Sequence, residues 1–225
     1  MKPLRIFAII AACGPLLWAQ AARDANSRYQ TREGRESVAK SLSSPDRDQR
    51  QKPRELVRLL ALREGMTVAD IGTGVGYMLP YLSEAVGPSG RVLAEDIYDD
   101  FLEKARENAT RHQLSNVTFI KGSETDPNLP ENSADVILAL DSYHHYNYPE
   151  KMLAAFHKAL RNGGRLVIVE YYKRPNAMGP NSDAMTHIRL DAPDVVKEVE
   201  ANGFRLASRD DLTKESQYIA IFEKN

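Results

Sequence analysis

Apolar and amphipathic segments alternate from residue 53 to the end of the chain. Short apolar runs bounded by turn residues predict strands, and apolar residues at three- and four-residue spacing predict helices. The predicted strands are 68–71, 91–96, 117–121, 134–140, 165–171, 204–209 and 217–223. The predicted helices are 54–62, 77–85, 99–112, 149–161 and 192–202. This order predicts an α/β fold: a doubly wound, mostly parallel seven-stranded sheet with helices on both faces.

The first strand runs into a glycine-rich turn, VADIGTGVGY at 68–77. Gly72, Gly74 and Gly76 lack a Cβ, so a ligand can approach the backbone and the free N–H groups of the next helix. Asp70 stands two residues earlier, where a carboxylate suits an ammonium group and repels a pyrophosphate. The G-x-G-x-G spacing also differs from the G-x-G-x-x-G of dinucleotide-binding folds. The pattern predicts a site for a cationic ligand, and the alternative is a tight turn without a ligand.

Polar residues also follow the second and third strands, whose carboxyl ends should face the same crevice. Glu95 and Asp96 end the second strand, near the chain position at which an acidic residue accepts hydrogen bonds from ribose hydroxyls. The alternative for this pair is a solvated charge pair. The neighbouring candidates for contact with the same ligand are Ile97 and, flanking an adenine after the third strand, Gly122, Ser123 and Glu124.

Aromatic and imidazole groups are dense after the fourth strand, in DSYHHYNY at 141–148. Asp141 and the ring of Tyr143 are candidates to face a positively charged group, because a ring attracts a cation by about 0.5–2 kcal/mol. His144 or His145 is a candidate general base, since an imidazole pKa lies near neutrality. For each histidine the alternative is a packed residue at the start of the next helix.

Composition excludes several classes of function. The 225 residues carry a formal net charge of -1, so no basic excess indicates a nucleic-acid partner. Cys13 is the only cysteine, which excludes disulfides, thiol nucleophiles and cysteine-bound metals from the folded part. None of the five histidines forms H-x-x-x-H or another familiar ligand spacing, so the spacing predicts no metal site.

Residues 1–21 have the pattern of a secretory signal peptide: Lys2 and Arg5, an apolar run, and an A-x-A site that predicts cleavage after Ala21. The expectation is an exported protein, periplasmic or extracellular, without a stable membrane span once the signal is removed. One alternative is a lipoprotein processed at Cys13. The other is a cytoplasmic protein whose true start lies further along the chain.

Two polar segments are candidate covers for the crevice. Residues 22–52 form an extension with a possible helix at 33–42, and it is either a lid or a solvated linker. The folded domain is then 53–225. The segment 173–189 is a long irregular loop, and it either shapes a substrate site or is a surface excursion.

Four pieces resemble the class I S-adenosylmethionine (SAM) dependent methyltransferases, in the order and spacing of that family. The pieces are VADIGTGVGY (68–77), AEDI (94–97), KGSETDPNLPENSADVILALDSYHH (121–145) and LRNGGRLVIVEY (160–171). The resemblance covers about residues 50–224 and is close to small bacterial UbiE-like enzymes. It implies a Rossmann-like sheet that ends in an antiparallel hairpin.

The resemblance also implies roles for individual residues. The residues that would hold the methionine part of SAM are Asp70, Gly72, Thr73, Gly74 and Gly76. Asp96 or Glu95 would bind the ribose, Ser123 and Glu124 would lie near the adenine, and Asp141 would lie near the sulfonium. Many family members carry Asp where this chain has Ser123.

The implied activity is methyl transfer from SAM to a small-molecule or lipid-like acceptor, with S-adenosylhomocysteine (SAH) as the product. An alternative is an exported protein that binds SAM or SAH without turnover. A nicotinamide oxidoreductase is disfavoured, because Asp70 and the glycine spacing do not suit a pyrophosphate. Neither the acceptor nor the oligomeric state follows from the sequence.

Overall fold

The structure is a computed structural model that describes residues 22–180 and 182–225. The signal peptide, its cleavage site and Cys13 fall outside these residues. The strands are β1 (Thr67–Ile71), β2 (Arg91–Asp96), β3 (Val117–Lys121), β4 (Ala134–Leu140), β5 (Leu160–Tyr171), β6 (Phe204–Thr213) and β7 (Gln217–Lys224). The helices are α1 (Arg32–Leu42), α2 (Arg47–Gln51), α3 (Pro53–Leu59), α4 (Leu79–Val86), α5 (Asp99–Arg111), α6 (Pro149–Ala159), α7 (Ala184–His187) and α8 (Ala192–Glu200).

The seven strands form one sheet in the order β3-β2-β1-β4-β5-β7-β6. The first five of these strands run parallel, and β7 pairs antiparallel with both β5 and β6. The predicted doubly wound sheet with a closing antiparallel strand is therefore confirmed. Because the chain leaves β1 toward β2 on one side and returns to β4 on the other, a crevice opens beyond the carboxyl ends of β1 and β4.

Alternate residues of the central strands pack into two apolar clusters, one on each face of the sheet. Ala69 and Ile71 of β1 join one cluster with residues of α6 and α8. Val68 joins the other cluster with residues of α3, α4 and α5. Burial on both faces explains why β1 and β4 read as nearly continuous apolar runs. Within the described residues, none of the helices combines the length and apolarity needed to cross a membrane.

Residues 22–52, called the leader below, fold onto the domain through a third cluster. Ala39 of α1 is buried there with Val75 and Phe101, and Tyr29 packs against them. The Thr31 hydroxyl accepts a hydrogen bond from the Gly34 backbone and caps α1. The helix expected at 33–42 is thus present, but it is docked onto the domain.

Element ends differ from the expectation where turns intervene. The helix expected from Tyr77 begins at Leu79, because the turn at 72–76 continues for two more residues and Pro80 stands in the first helical turn. The helix expected to reach Arg161 ends at Ala159, because Leu160 already pairs with Ala134 of β4. The strand expected at 204–209 extends to Thr213 through an irregularity in its pairing with β7.

Candidate functional site

A cavity lies at the crevice beyond β1, β2 and β4, and the space not filled by atoms there, including open solvent at its mouth, is about 910 Å³. From the domain it is lined by the turn after β1, the acidic end of β2, the segment after β3 and the segment after β4. The leader lines the remaining side through Asn26, Tyr29, Leu42 and Arg47. The residues predicted for the ligand that line it are Gly72, Thr73, Gly74, Glu95, Asp96, Ile97, Ser123, Glu124, Asp141 and His145.

The glycines of the turn are explained first by backbone shape and protein packing. Gly72, Gly74 and Gly76 have φ values of 70°, 56° and 77°, which side chains rarely adopt. A Cβ on Gly76 would lie 3.2 Å from the Cβ of Ala105, so this glycine lets α5 pack closely. Gly76 does not line the cavity, so its effect on a ligand is limited to shaping the turn.

The end of β2 presents two buried carboxylates to the cavity. Asp96 accepts hydrogen bonds from the backbone N–H groups of Gly74 and Tyr98, both at 2.9 Å. Glu95 Oε2 accepts one from the Gly72 N–H at 3.2 Å. Glu95 Oε1 is buried and has no hydrogen-bond partner among the described residues. The β2 end therefore both holds the glycine turn and retains acceptor capacity for a ligand.

Asp70 lies behind the cavity wall rather than in it. Its carboxylate accepts a 2.7 Å hydrogen bond from the hydroxyl of Thr73, which does line the cavity. Burial raises the pKa of Asp70 to about 6, although the Thr73 bond and the charge of Arg47 oppose this shift. Asp70 thus supplies negative charge to the floor of the cavity through the Thr73 side of the turn.

Asp141 follows β4 in a left-handed conformation, with φ at 51°, and lines the cavity. Its carboxylate accepts a hydrogen bond from Gln217 Nε2 at 2.7 Å and another from Gln51 of the leader. Burial, followed by repulsion from Glu170, raises the pKa of Asp141. A residue held in this uncommon backbone conformation by hydrogen bonds from two other elements, α2 and β7, is typical of a functional position.

The leader covers the turn and the end of β2. Tyr29 lies 4.9 Å from the His145 ring and 5.9 Å from the Tyr98 ring, measured between centroids. Arg47 donates a 2.8 Å hydrogen bond to the Leu42 carbonyl, and its guanidinium lies 4.0 Å from the centre of the Tyr77 ring. The arginine therefore places a positive charge at the cavity.

The predicted adenine-side residues divide into two groups. Ser123 and Glu124 line the cavity, whereas Gly122 does not. A Cβ on Gly122 would collide with Glu95 Oε1, so this glycine leaves room for the Glu95 side chain. Ser123 Oγ accepts a 3.0 Å hydrogen bond from the Asp126 N–H, which shapes the loop.

The three catalytic candidates after β4 point in different directions. Tyr143 is buried in the core, and its hydroxyl donates a 2.6 Å hydrogen bond to Glu198, so it does not face the cavity as the sequence suggested. His144 is also buried and lies behind the wall, with Nδ1 2.7 Å from Glu170 Oε2. His145 alone of the three lines the cavity.

A family profile described as a methyltransferase domain matches residues 62–220. The chain belongs to the SAM-dependent methyltransferases. The solved SAM-dependent methyltransferase from Aquifex aeolicus has a TM-score of 0.76 to this chain at 29% identity, covering 83% of this chain and 96% of the other. The likeness confirms the family, the fold and SAM as the cofactor expected from the sequence.

Curated relatives match over a shorter stretch. The C-methyltransferase UbiE of ubiquinone/menaquinone biosynthesis from Azotobacter vinelandii is 32% identical over 123 residues, which is 54% of this chain and 49% of the relative. The SAM-dependent Diels-Alderase iccD from Talaromyces variabilis is 33% identical over 135 residues, 59% of this chain and 45% of the relative. This methyltransferase chain spans about half the length of the curated relatives it matches.

The residues of this methyltransferase fit the cofactor. A ribose hydroxyl would satisfy the buried Glu95 Oε1, which otherwise lacks a partner among the described residues, and would relieve the cost of burying that atom. Asp96 offers further lone pairs to the second hydroxyl. The roles of these two carboxylates stay predictions, and the unsatisfied atom is the observation that favours them.

Affinity for SAH should depend on pH through the buried carboxylates. Burial raises the pKa of Asp70 and of Asp96 to about 6, so each keeps its proton up to that pH. The cofactor ammonium and hydroxyls favour the ionised forms, so affinity should rise with pH and level off above the pKa. From about pH 7.5 to about pH 5 we expect a loss of about tenfold or more by calorimetry. Asp70→Asn should reduce this slope, and a flat profile in the wild type would contradict the assignment.

Sequence reasoning missed the leader residues of the site and the partners of the histidines. Tyr29 and Arg47 lie in a polar segment without strong apolar periodicity, so nothing local marked them. Glu170 lies near the end of β5, next to an apolar run. The one sequence signal that could have marked it is an acidic residue in a strand that is expected to be buried. His187 comes from the loop at 173–189, which the sequence marked only by its length.

Proposed function

We propose that this chain transfers a methyl group from SAM to a small-molecule or lipid-like acceptor. The observation that carries the proposal is the cavity at the strand crossover, where the turn after β1 and the acidic end of β2 face the leader. The matching of a methyltransferase profile over 62–220 supports the same activity.

A zwitterionic amino-acid tail suits the charges around the turn. Asp70 supplies the negative charge below Thr73, and Arg47 supplies a positive charge from the leader. We assign the cofactor ammonium to the Asp70 side and its carboxylate to the Arg47 side. Ribose hydroxyls go to Asp96 and Glu95, and the adenine goes to Ser123 and Glu124.

Bound SAM supplies a methyl group that its sulfonium makes electrophilic. The residues of the chain hold the cofactor and the acceptor in line and exclude water, and such positioning can lower a barrier by several kcal/mol. The cavity wall near Asp141 includes Tyr146 and Met152, an apolar surface that suits a small organic or lipid-like acceptor. An acceptor that carries a proton at neutral pH must lose it during transfer.

Two measurements, made one after the other, test the proposed function. Calorimetric titration with SAH should give saturable binding, and absence of binding would reject the cofactor site. Incubation with methyl-labelled SAM and a cell extract should then transfer label to an extract component, and a variant that cannot bind SAH should transfer none.

A second candidate is a protein that uses bound SAM or SAH without transferring the methyl group. The observation that favours it is the 33% identity to a SAM-dependent Diels-Alderase. This candidate predicts SAH binding together with no transfer of label to any extract fraction. Methyl transfer to any acceptor would reject it.

The charge of Arg47 should matter for the amino-acid tail and not for the nucleoside. We expect Arg47→Gln to weaken SAH binding about tenfold, because hydrogen bonds to charged groups contribute about 1.5–3 kcal/mol. Adenosine affinity should stay unchanged, since adenosine has no carboxylate. Arg50→Gln, an exposed change in the same helix, is the matched control. Equal losses for SAH and adenosine would place the effect in the leader fold and not in the tail.

We also propose that the chain acts after export, on the basis of residues 1–21. Sequencing the N-terminus of secreted material should find Ala22 first. A chain retained with Met1 in the cytosol would contradict this proposal. Because SAM is made in the cytosol, an exported enzyme would need a source of cofactor outside it.

A further inference from the structure

Three histidines from two segments meet beside the cofactor cavity. His144 and His145 lie in the short 3-10 turn after β4, and His187 ends α7 in the long loop. One ring nitrogen from each lies within 4.8 Å of the other two. His144 Nε2 and His187 Nε2 are 3.1 Å apart. A tetrahedral zinc ion with Zn–N bonds of about 2.0–2.1 Å separates its ligand nitrogens by about 3.3 Å, so this spacing is close to that of ligands on one ion.

Neighbouring acceptors fix the proton on two of these rings. Both Glu170 oxygens already accept backbone N–H groups, Oε1 from Tyr171 and Oε2 from His144. His144 Nδ1 lies 2.7 Å from the accepting Oε2, so Nδ1 carries the proton. Asn26 donates its amide N–H to the His145 carbonyl at 2.9 Å, which turns its oxygen toward His145 Nδ1 at 2.7 Å. Nδ1 of His145 is therefore also a donor. In both rings the lone pair is on Nε2.

The tautomers matter because metal-bound histidines usually donate their second N–H to a carboxylate or another acceptor. The arrangement of His144 on the buried Glu170 has this form. A hydrogen bond from His187 Nε2 to His144 Nε2 would use only the lone pair of His144. The lone pair on His145 Nε2 would take no part in that hydrogen bond.

We propose that His144, His145 and His187 bind one divalent transition-metal ion of the zinc type. Three imidazole nitrogens favour zinc, copper, nickel or iron over magnesium and calcium, which prefer oxygen ligands. Three protein ligands leave a fourth position on a tetrahedral ion for water or another donor. Because His145 lines the cofactor cavity, the ion adjoins the space in which an acceptor would lie.

The site has a consequence for the acceptor, and this consequence rests on the proposed function. A hydroxyl oxygen in the fourth position would lose its proton to solvent more readily, because the cation stabilises the oxyanion. The oxygen lone pair would then form the bond to the methyl carbon while the carbon–sulfur pair returns to sulfur. The acceptor class would be an alcohol, phenol or enol, and the histidine lone pairs would serve the metal instead of a proton transfer.

The test measures metal binding directly, on tag-free full chain stripped with a chelator. Titration with Co²⁺ should produce visible absorption bands of a four-coordinate site at one ion per chain, and Zn²⁺ should displace them. We expect His187→Gln to weaken binding at least about tenfold, and Glu170→Gln to weaken it about 10–100-fold as a positioning residue behind His144. His112→Gln, an exposed change at the end of α5, is the matched control and should bind like the wild type.

SAH titration of the same variants separates this proposal from the proposed function. His187 is absent from the cofactor cavity wall, so His187→Gln should keep its SAH affinity, which also shows that the variant is folded. The metal site would be overturned if the wild type bound Co²⁺ no more tightly than His187→Gln does. It would also be overturned if His112→Gln lost as much Co²⁺ affinity as His187→Gln. Neither result would affect the cofactor site.

Discussion

Replacing Asp96 by alanine should weaken SAH binding about 30-fold or more, which is about 2 kcal/mol. Asp96 lines the cavity and accepts hydrogen bonds from the Gly74 and Tyr98 N–H groups at 2.9 Å each. Its carboxylate has lone pairs left for ribose hydroxyls, and a hydrogen bond to a charged group contributes about 1.5–3 kcal/mol. Alanine would remove this contact and also release two N–H groups that hold the turn.

The matched control for this change is Asp99→Ala. Asp99 is a largely exposed carboxylate at the start of α5, 2.8 Å from Lys121, and it lies outside the cavity wall. Calorimetry should therefore give wild-type SAH affinity for it. An unchanged affinity in Asp96→Ala, together with a loss in Glu95→Gln, would move the ribose contact to Glu95. If neither change weakened binding, the cavity would not be the cofactor site.

Most of the fold could be predicted because its strongest signals are local. β1 and β4 are buried on both faces, so their sequences are apolar nearly throughout, and the turn chemistry of Gly72 and Gly74 marks the end of β1. The α/β alternation predicts a parallel sheet with right-handed crossovers, but the order of the strands in the sheet was not predicted, because the same alternation is compatible with more than one order. The rule that ligands bind at the crossover then locates the crevice without any side-chain detail.

The leader could not be placed in the same way. Tyr29 is held in place by the rings of Tyr98 and Phe101, which pack against it and lie far along the chain. Arg35 likewise pairs with Asp100 at 2.7 Å. A polar segment with such partners looks like a solvated linker until its tertiary contacts are known. The possible helix at 33–42 was visible because it depends only on local capping and propensity.

In the segment after β4, the sequence could not predict the direction in which each side chain points. Tyr143, His144 and His145 are consecutive, yet one ring enters the core, one lies on Glu170 and one lines the cavity. The 3-10 turn directs them, and its shape depends on Ser142, whose hydroxyl donates to the Ile71 carbonyl. Spacing along the chain predicted no metal ligands, because that argument covers ligands on one element and His187 comes from another.

A large loss of stability is expected from changes in the buried group formed by Glu198, Arg189 and Tyr143, which is called the anchor below because it holds this segment. Glu198 Oε2 accepts a 2.8 Å hydrogen bond from Arg189, and its Oε1 accepts a 2.6 Å bond from the Tyr143 hydroxyl. The Arg189 and Glu198 side chains are 1% and 5% exposed. Because Arg189 is two residues from His187 and Tyr143 adjoins His144, the anchor fixes both segments of the histidine cluster.

Glu198→Ala should lower the free energy of unfolding by about 3–5 kcal/mol, because removing one member of a buried ion pair leaves a charge without its counter-ion. In a domain of this size the melting temperature should fall by about 10 °C. Differential scanning calorimetry measures both quantities. Asp194→Ala on the same helix removes an exposed ion pair with Lys197 and should change stability by less than about 1 kcal/mol.

The double variant Arg189→Leu with Glu198→Leu separates charge burial from packing. Replacing both charges by apolar residues should recover much of the loss, since buried pairs are often no more stable than well-packed apolar side chains. It should still weaken Co²⁺ binding relative to wild type, because the loop that carries His187 loses its polar attachment to α8. A double variant as unstable as Glu198→Ala would show that packing around the Tyr143 hydroxyl, and not the guanidinium charge, decides the stability of the anchor.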